Sequence, residues 1–229
     1  MISRDHTSES GYLEPGCTKV LEDPQYFIVW IKLEEEQSSI YIESLLSESC
    51  QWERRFPQEE NADDFKACFV PICTDNFLLM LLSMTKRFQV LPSFECRLRF
   101  ARLQRLLVAN YRLHLQQLSS SLQSVWLSPF SEVINSAEYM AYVLRRWQDQ
   151  TLYIELEEGI FDEMIVLFTD LKMRMITDSV EAVLEECKEN ATRLVSAVNN
   201  GEPMLENVFF SSIVVPVQNA LLQMQQGLR

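Results

Sequence analysis

Apolar side chains return every three or four positions over residues 94–122, which is the period of one face of an α-helix. Arginines occupy the other side of the same stretch. The spacing therefore predicts a two-sided helix that packs one face on a core, with His114 at the core or its edge. The apolar face is formed by Phe100, Leu103, Leu107, Tyr111, His114 and Leu118.

Capping residues and prolines place the other helix starts. A short polar side chain can accept a hydrogen bond from an otherwise unpaired backbone N–H, and proline suits the first helical position. Ser93 caps the helix over 94–122 by this reasoning. The same signals predict helices over 25–49, 75–89 and 128–158, beginning at Asp23-Pro24, Thr74 and Ser128-Pro129.

The longest helical pattern follows Gly159 and runs over residues 160–199. Gly159 is the only glycine between Gly16 and Gly201, which indicates a turn there. Two apolar series then alternate steps of four and three, as in packed helical bundles. The first is Ile160, Met164, Leu167 and Leu171, and the second is Val180, Leu184, Cys187, Ala191, Leu194 and Val198. A last element is expected to begin at Pro203.

Composition narrows the fold class to all-α. The chain has only 5 glycines among 229 residues, whereas glycine makes up ~7% of an average protein. Sheets with tight turns use glycine at those turns, so a chain this poor in glycine is expected to be helical. No apolar run reaches the ~18 residues of a membrane-spanning helix. Residues 1–24 are expected to be a flexible lead-in without a signal-peptide core, and 25–229 a helical module of a cytoplasmic protein.

The net charge of −13 argues against generic nucleic-acid binding. It conceals a basic window over 86–112, with seven basic residues and one acidic residue, Glu95. Its arginines either pair with the acidic surface of the same molecule or form a docking strip for an acidic protein or an anionic lipid. The candidate strip consists of Arg97, Arg102, Arg105 and Arg112.

Chemistry-bearing patterns are scarce, and no catalytic, cofactor-binding or metal-ligating residue is assigned. The chain has two histidines, and the common nucleotide-binding, hydrolase and metalloprotease motifs are missing from it. The scattered cysteines are expected to be free thiols, mostly buried. Several acidic residues lie close to Gly159. They either belong to a solvated turn near a helix start, where the helix dipole favours negative charge, or form a site for a cation or for acid–base chemistry. These are Glu155, Glu157, Glu158, Asp162 and Glu163.

An ordered series of motifs resembles the RINT-one/Tip-twenty family of vesicle-tethering proteins. The clearest segment is Ile160-Phe161-Asp162-Glu163-Met164-Ile165, continuing through Leu171-Lys172. The helix before it, ending in Leu152-Tyr153-Ile154-Glu155-Leu156, is also similar. The order is kept from roughly residue 25 to 226. Further matching positions are Trp30, Ser44-Leu45-Leu46, Trp52, Pro71, Cys73, Phe77, Leu91-Pro92, Ile134-Asn135, Tyr139, Val143-Leu144 and Trp147.

The resemblance implies an elongated helical-bundle segment of the exocyst and Golgi-tether type. It implies a non-enzymatic subunit of an endoplasmic-reticulum tethering complex, acting in retrograde Golgi-to-endoplasmic-reticulum transport. The partners implied are a Zeste-white-ten-type subunit, a NAG-type subunit and endoplasmic-reticulum SNAREs. The expected location is the cytoplasm, peripheral to the endoplasmic-reticulum membrane.

The chain departs from this family in length. The N-terminal coiled-coil region that joins the Zeste-white-ten-type subunit is not found, and the connection at Glu157-Glu158-Gly159 is short. We therefore expect a fragment, a truncated gene model or a short paralogue. Two other functions stay open: a DNA-damage checkpoint scaffold that binds proteins, and an enzyme or ligand carrier of unfamiliar type.

Overall fold

A computed structural model describes residues 16–53, 70–122 and 129–199. Within those ranges every regular element is helical and no β-strand occurs, which confirms the all-α fold class. A 3₁₀ turn, Ser49–Trp52, follows α2. The α-helices are α1 Gly16–Leu21, α2 Pro24–Ser47, α3 Ile72–Phe88, α4 Phe94–Ser121, α5 Phe130–Gln148, α6 Thr151–Leu156 and α7 Asp162–Asn199.

Two of the expected caps form as the sequence indicates. The Asp23 side chain accepts a hydrogen bond from the backbone N–H of Gln25, with Pro24 in the first turn of α2. The Ser93 hydroxyl accepts one from the N–H of Cys96 at 3.3 Å and begins α4. Each cap satisfies one of the backbone donors that a helix start leaves unpaired.

Two helix boundaries differ from the prediction. Helix α3 begins at Ile72, directly after Pro71, and Thr74 is a buried residue inside it rather than its cap. The helix expected over 128–158 is divided into α5 and α6 by an extended residue, Gln150. In an uninterrupted helix Trp147 and Tyr153 would point about 120° apart. The break lets both reach the core, where their rings stack 6.5 Å apart.

Helix α4 is the central element of the bundle, since it contacts α2, α3, α5, α6 and α7. Its inner face is fully buried at Phe100, Leu107 and Tyr111, as the helical spacing predicts. Phe100 joins three helices, because its ring packs edge-on against Phe27 of α2 and stacks on Phe88 of α3. Burying such aromatic side chains supplies most of the stabilising energy of a bundle core.

A buried chain of hydroxyl groups joins α3, α4 and α5. Thr74 donates to Ser136 Oγ at 2.7 Å, and Ser136 donates to the carbonyl of Glu132 at 2.8 Å. Since the Thr74 proton is used in this way, Tyr111 is the donor across the 3.1 Å to Thr74 Oγ1. Every hydroxyl in the chain thus donates one hydrogen bond, as buried polar groups require.

A second buried group joins α3, α4 and α6. Gln104 is fully buried, and its Nε2 donates to Thr85 Oγ1 and to the carbonyl of Leu81, each at 2.8 Å. Tyr153 donates to Gln104 Oε1 at 2.9 Å, and its oxygen lies 3.1 Å from Thr85 Oγ1. The Thr85 hydroxyl itself donates to the carbonyl of Leu81 at 3.0 Å. The hydrogen bonds of Gln104 to Thr85 and Tyr153 therefore link α6 to α3 and α4.

Helix α7 packs on α5 along its first half only. Among the side chains of α7 that the structure describes, Ser179 is the last buried one, and Val180 and Leu184 of the second apolar series are 46% and 53% exposed. Length explains the difference from the expected packing. At 1.5 Å per residue α7 is about 57 Å long and α5 about 28 Å, so α5 covers only half of it.

Several sequence predictions fall on residues outside the described ranges. They concern residues 1–15 of the expected lead-in, the serine at 128 and the element expected from 203 onwards. The rest of the expected lead-in contains α1. Among the helices of the described part, none is both long and apolar enough to cross a membrane.

Candidate functional site

Two of the four arginines in the candidate strip lie together at an open cleft between α4 and α7. Arg102 and Arg105 are exposed on α4, one turn apart, and both line the cleft. Arg97 and Arg112 are on the same helix but are half-buried and do not line it. The structure therefore brings together only the middle pair of the strip.

Arg102 and Arg105 each face a carboxylate from the acidic segment around Gly159. Arg102 Nε donates to Glu157 Oε2 at 3.0 Å, and Arg105 Nη2 lies 3.6 Å from Glu163 Oε2. The arginine side chains are 59% and 44% exposed. Ion pairs this exposed contribute about 0–1 kcal/mol to stability, so a partner can displace them at little cost.

The cleft combines this charge with an apolar floor. It has a volume of about 540 Å³, and Leu106, Ala109 and Met164 line it together with the two arginine–glutamate pairs. Leu106 is 44% exposed. An apolar floor with both signs of charge at its rim suits an amphipathic peptide, whose apolar side chain enters while its charged groups replace one member of each pair.

The remaining two strip arginines have structural surroundings. Arg112 Nη1 donates to Gln116 Oε1, one turn along α4, at 2.8 Å. The Nε atoms of both Arg97 and Arg112 are buried and have no acceptor within the described residues. Their stems thus lie against the protein, as long basic side chains often do.

Gly159 forms the turn that brings Glu157 and Glu163 close to α4. It adopts a left-handed backbone with φ of 70°, which side chains other than glycine rarely adopt. The turn places Glu157 at the end of α6 and Glu163 in the first turn of α7, both toward α4. Sequence reasoning found the acidic residues but assigned them no partners, because pairing across the bundle depends on how α7 packs on α4.

No group of three metal-ligating side chains occurs in the parts of the chain that the structure describes. Cys73, Cys96 and Cys187 are free, and the first two are buried. Burial raises the pKa of the Cys73 thiol from 9.0 to about 11, which keeps it protonated and unreactive at neutral pH. His114 is half-buried at the edge of the core.

The described chain is thus a helical bundle whose surface offers a charged cleft with an apolar floor. Comparison with known proteins assigns the chain to a family. The sequence profile described as the RINT-1/TIP-1 family matches residues 11–199, and the chain belongs to that family.

A RINT1-like protein of Drosophila melanogaster is similar to part of the chain. The two are 29% identical over 147 residues, which make up 64% of this chain and 19% of the relative. The chain thus matches a minor part of that longer protein. No solved structure matches the chain.

Proposed function

We propose that the protein is a non-enzymatic subunit of a vesicle-tethering complex that acts in retrograde transport from the Golgi to the endoplasmic reticulum. The observation that carries the proposal is membership of the RINT-1/TIP-1 family over residues 11–199. The proposed partners are a Zeste-white-ten-type subunit, a NAG-type subunit and endoplasmic-reticulum SNAREs. The proposed location is the cytoplasmic face of the endoplasmic-reticulum membrane.

The architecture supports a role that consists of binding. Helices α3, α4, α5 and α6 are joined by buried hydrogen bonds as well as by apolar packing. Such networks make a bundle rigid. A rigid bundle holds surface groups at a fixed separation, as a tether requires of its subunits.

Within this function, we propose that the strip of Arg97, Arg102, Arg105 and Arg112 docks an acidic protein partner. Arg102 and Arg105 are the contacts at its centre, since they border the cleft with the apolar floor. Glu157 and Glu163 hold the guanidinium groups in place until a partner carboxylate replaces them. Electrostatic docking of this kind governs the association rate and the choice of partner.

Affinity purification of the tagged full-length product tests the proposal. The expected result is recovery of SNAREs and the other tether subunits with the wild-type protein. Reversal of charge in Arg102→Glu with Arg105→Glu should reduce recovery of at least one of them. Arg99→Glu is the matched control, because Arg99 is exposed on the same helix but pairs with Glu95 one turn away.

The outcomes separate the two levels of the proposal. Consistent absence of SNAREs and tether subunits from the wild-type sample contradicts the tethering function, and recovery of DNA-repair proteins in their place supports a checkpoint scaffold. Full recovery with the double variant contradicts only the docking role of the strip. Loss of binding to anionic liposomes with retained protein partners identifies a lipid as the ligand of the strip.

A further inference from the structure

Helix α2 has an apolar face on each side. Phe27, Ile42 and Leu45 are buried against the bundle. On the opposite side four large apolar residues are 52–55% exposed, which for side chains of this size is a considerable apolar area. They are Tyr26, Val29, Leu33 and Ile40.

These exposed residues form one continuous line. Their steps of three, four and seven place them on a heptad seam, on which every position faces the same way. Single exposed apolar residues are ordinary on any protein, whereas an ordered series indicates a binding surface. We call the line of Tyr26, Val29, Leu33, Glu36, Ile40 and Glu43 the outer seam of α2.

Two glutamates complete the outer seam. Glu36 and Glu43 occupy the positions that the heptad spacing leaves between and after the apolar residues, and both are exposed. Helix α2 as a whole carries four glutamates and one lysine, Lys32. The seam therefore offers apolar contact together with a negative charge at two fixed positions.

We propose that the outer seam of α2 binds an amphipathic helix of another protein, with lysine or arginine where that helix meets Glu36 and Glu43. Helix-in-groove and coiled-coil docking both use apolar anchors at this spacing, and the charges beside them choose the partner. The seam lies on a different helix from the cleft at Arg102 and Arg105, and the two sites share no residue.

Charge argues against a second copy of this chain as the occupant. In a parallel pair of α2 helices Glu36 and Glu43 would meet their own counterparts across the seam. In an antiparallel pair the same carboxylates would be pressed against leucine and tyrosine. Each α2 helix offers one cation, Lys32, against four glutamates, so either arrangement brings more carboxylates into the interface than it can neutralise, which is unfavourable.

Two synthetic helical peptides test the proposal with the full-length protein. They share one heptad seam of leucine, and differ in carrying lysine or glutamate at the positions beside it. Fluorescence anisotropy of the labelled peptides gives each affinity. We expect the lysine peptide to bind at least tenfold more tightly than the glutamate peptide, with an affinity that falls as salt is added.

Variants locate the binding on the seam. Leu33→Asp should weaken the lysine peptide at least tenfold, whereas Val166→Asp, on an equally exposed valine of α7, should leave it unchanged. Glu36→Lys with Glu43→Lys should reverse the preference in favour of the glutamate peptide. Circular dichroism checks that each variant keeps its helices.

Several results would overturn the proposal. They are equal affinity for the two peptides, no binding of either, or an affinity that Leu33→Asp does not change. A dimer in sedimentation equilibrium that Leu33→Asp dissociates would show that a second copy occupies the seam, and would also overturn it. Because the peptide affinities do not depend on SNAREs or tether subunits, failure here leaves the tethering proposal standing.

Discussion

Tyr153 of α6 donates a 2.9 Å hydrogen bond to Gln104 Oε1 of α4, and both side chains are buried. The bond fixes a helix of only six residues, too short to be stable by itself. It also satisfies a polar side chain at the centre of the bundle. The position of α6, and with it Glu157, thus depends on this hydrogen bond as well as on the packing of the Tyr153 ring and of Leu156.

Removing the Tyr153 hydroxyl should destabilise the fold. Tyr153→Phe keeps the ring but leaves Gln104 Oε1 without its donor, and an unpaired buried group costs about 1–3 kcal/mol. Urea unfolding measures the loss. Tyr26→Phe, at a 52% exposed tyrosine, should change the free energy of unfolding by less than about 0.5 kcal/mol. Equal effects of the two changes would show that the hydrogen bond of Tyr153 to Gln104 contributes nothing to stability.

Gly159 should tolerate no side chain. In Gly159→Ala the new methyl would meet the Asp162 carboxylate and would hold a left-handed backbone, which costs about 1–2 kcal/mol before any clash. Gly16→Ala is the control, because Gly16 has open space around its Cβ position. Thermal unfolding should show a lower Tm for the first variant only. An unchanged Tm for Gly159→Ala would contradict the strained turn.

Stability should fall at high pH. Burial raises the pKa of Cys73 to about 11, and burial also raises the pKa of Tyr111 and of Tyr153 above 10.0. Between pH 9 and 11 the unfolded thiol loses its proton while the folded thiol keeps it. The unfolded state then binds fewer protons, so the free energy of unfolding decreases as pH rises.

The Cys73 contribution can be separated from the rest. At about 1.4 kcal/mol per pKa unit, the shift from 9.0 to about 11 accounts for a loss of about 2 to 3 kcal/mol across that window. Urea unfolding at several pH values should give a shallower decline for Cys73→Ala than for the wild type. The tyrosine contribution above pH 10 should remain. A decline identical to the wild type would contradict the assignment to Cys73.

Charge reversal at the cleft should leave the fold intact. The pairs of Arg102 with Glu157 and of Arg105 with Glu163 are exposed, and reversal of either should cost no more than about 1 kcal/mol. Thermal unfolding of Arg102→Glu with Arg105→Glu checks this. A large loss of stability, restored by Glu157→Arg with Glu163→Arg, would show that the pairs are structural rather than exchangeable.

The local features of the fold could be predicted from the sequence. Helical spacing located α4 to within one residue, and the caps at Asp23 and Ser93 form as expected. The prediction that Thr74 caps α3 is wrong, because a threonine hydroxyl can serve either as a helix cap or as a buried hydrogen-bonding group. Its actual partner, Ser136, is 62 residues away, and no local pattern contains such a contact.

The residues of the candidate site could be predicted from the sequence, but their pairing could not, because it depends on contacts between distant parts of the chain. The arginines and the acidic residues near Gly159 were each recognised, but as separate features with separate alternatives. Whether they meet depends on the crossing of α4 and α7, which packing determines. The apolar floor at Leu106 and Met164 follows from that crossing too. Likewise, Val180 and Leu184 are exposed because α5 ends before it reaches them. The apolar spacing within α7 gives no information on the length of α5.

The proposed role in retrograde transport is tested by the rate at which a marked cargo returns from the Golgi to the endoplasmic reticulum. The rate is measured in cells that lack the protein and in the same cells after the wild-type protein is restored. For a tethering subunit we expect slow return and accumulated vesicles without the protein, a normal rate after restoration, and an unaltered response to DNA damage throughout. A normal rate of return in its absence, with a failed damage checkpoint that the wild-type protein restores, would contradict the proposed role.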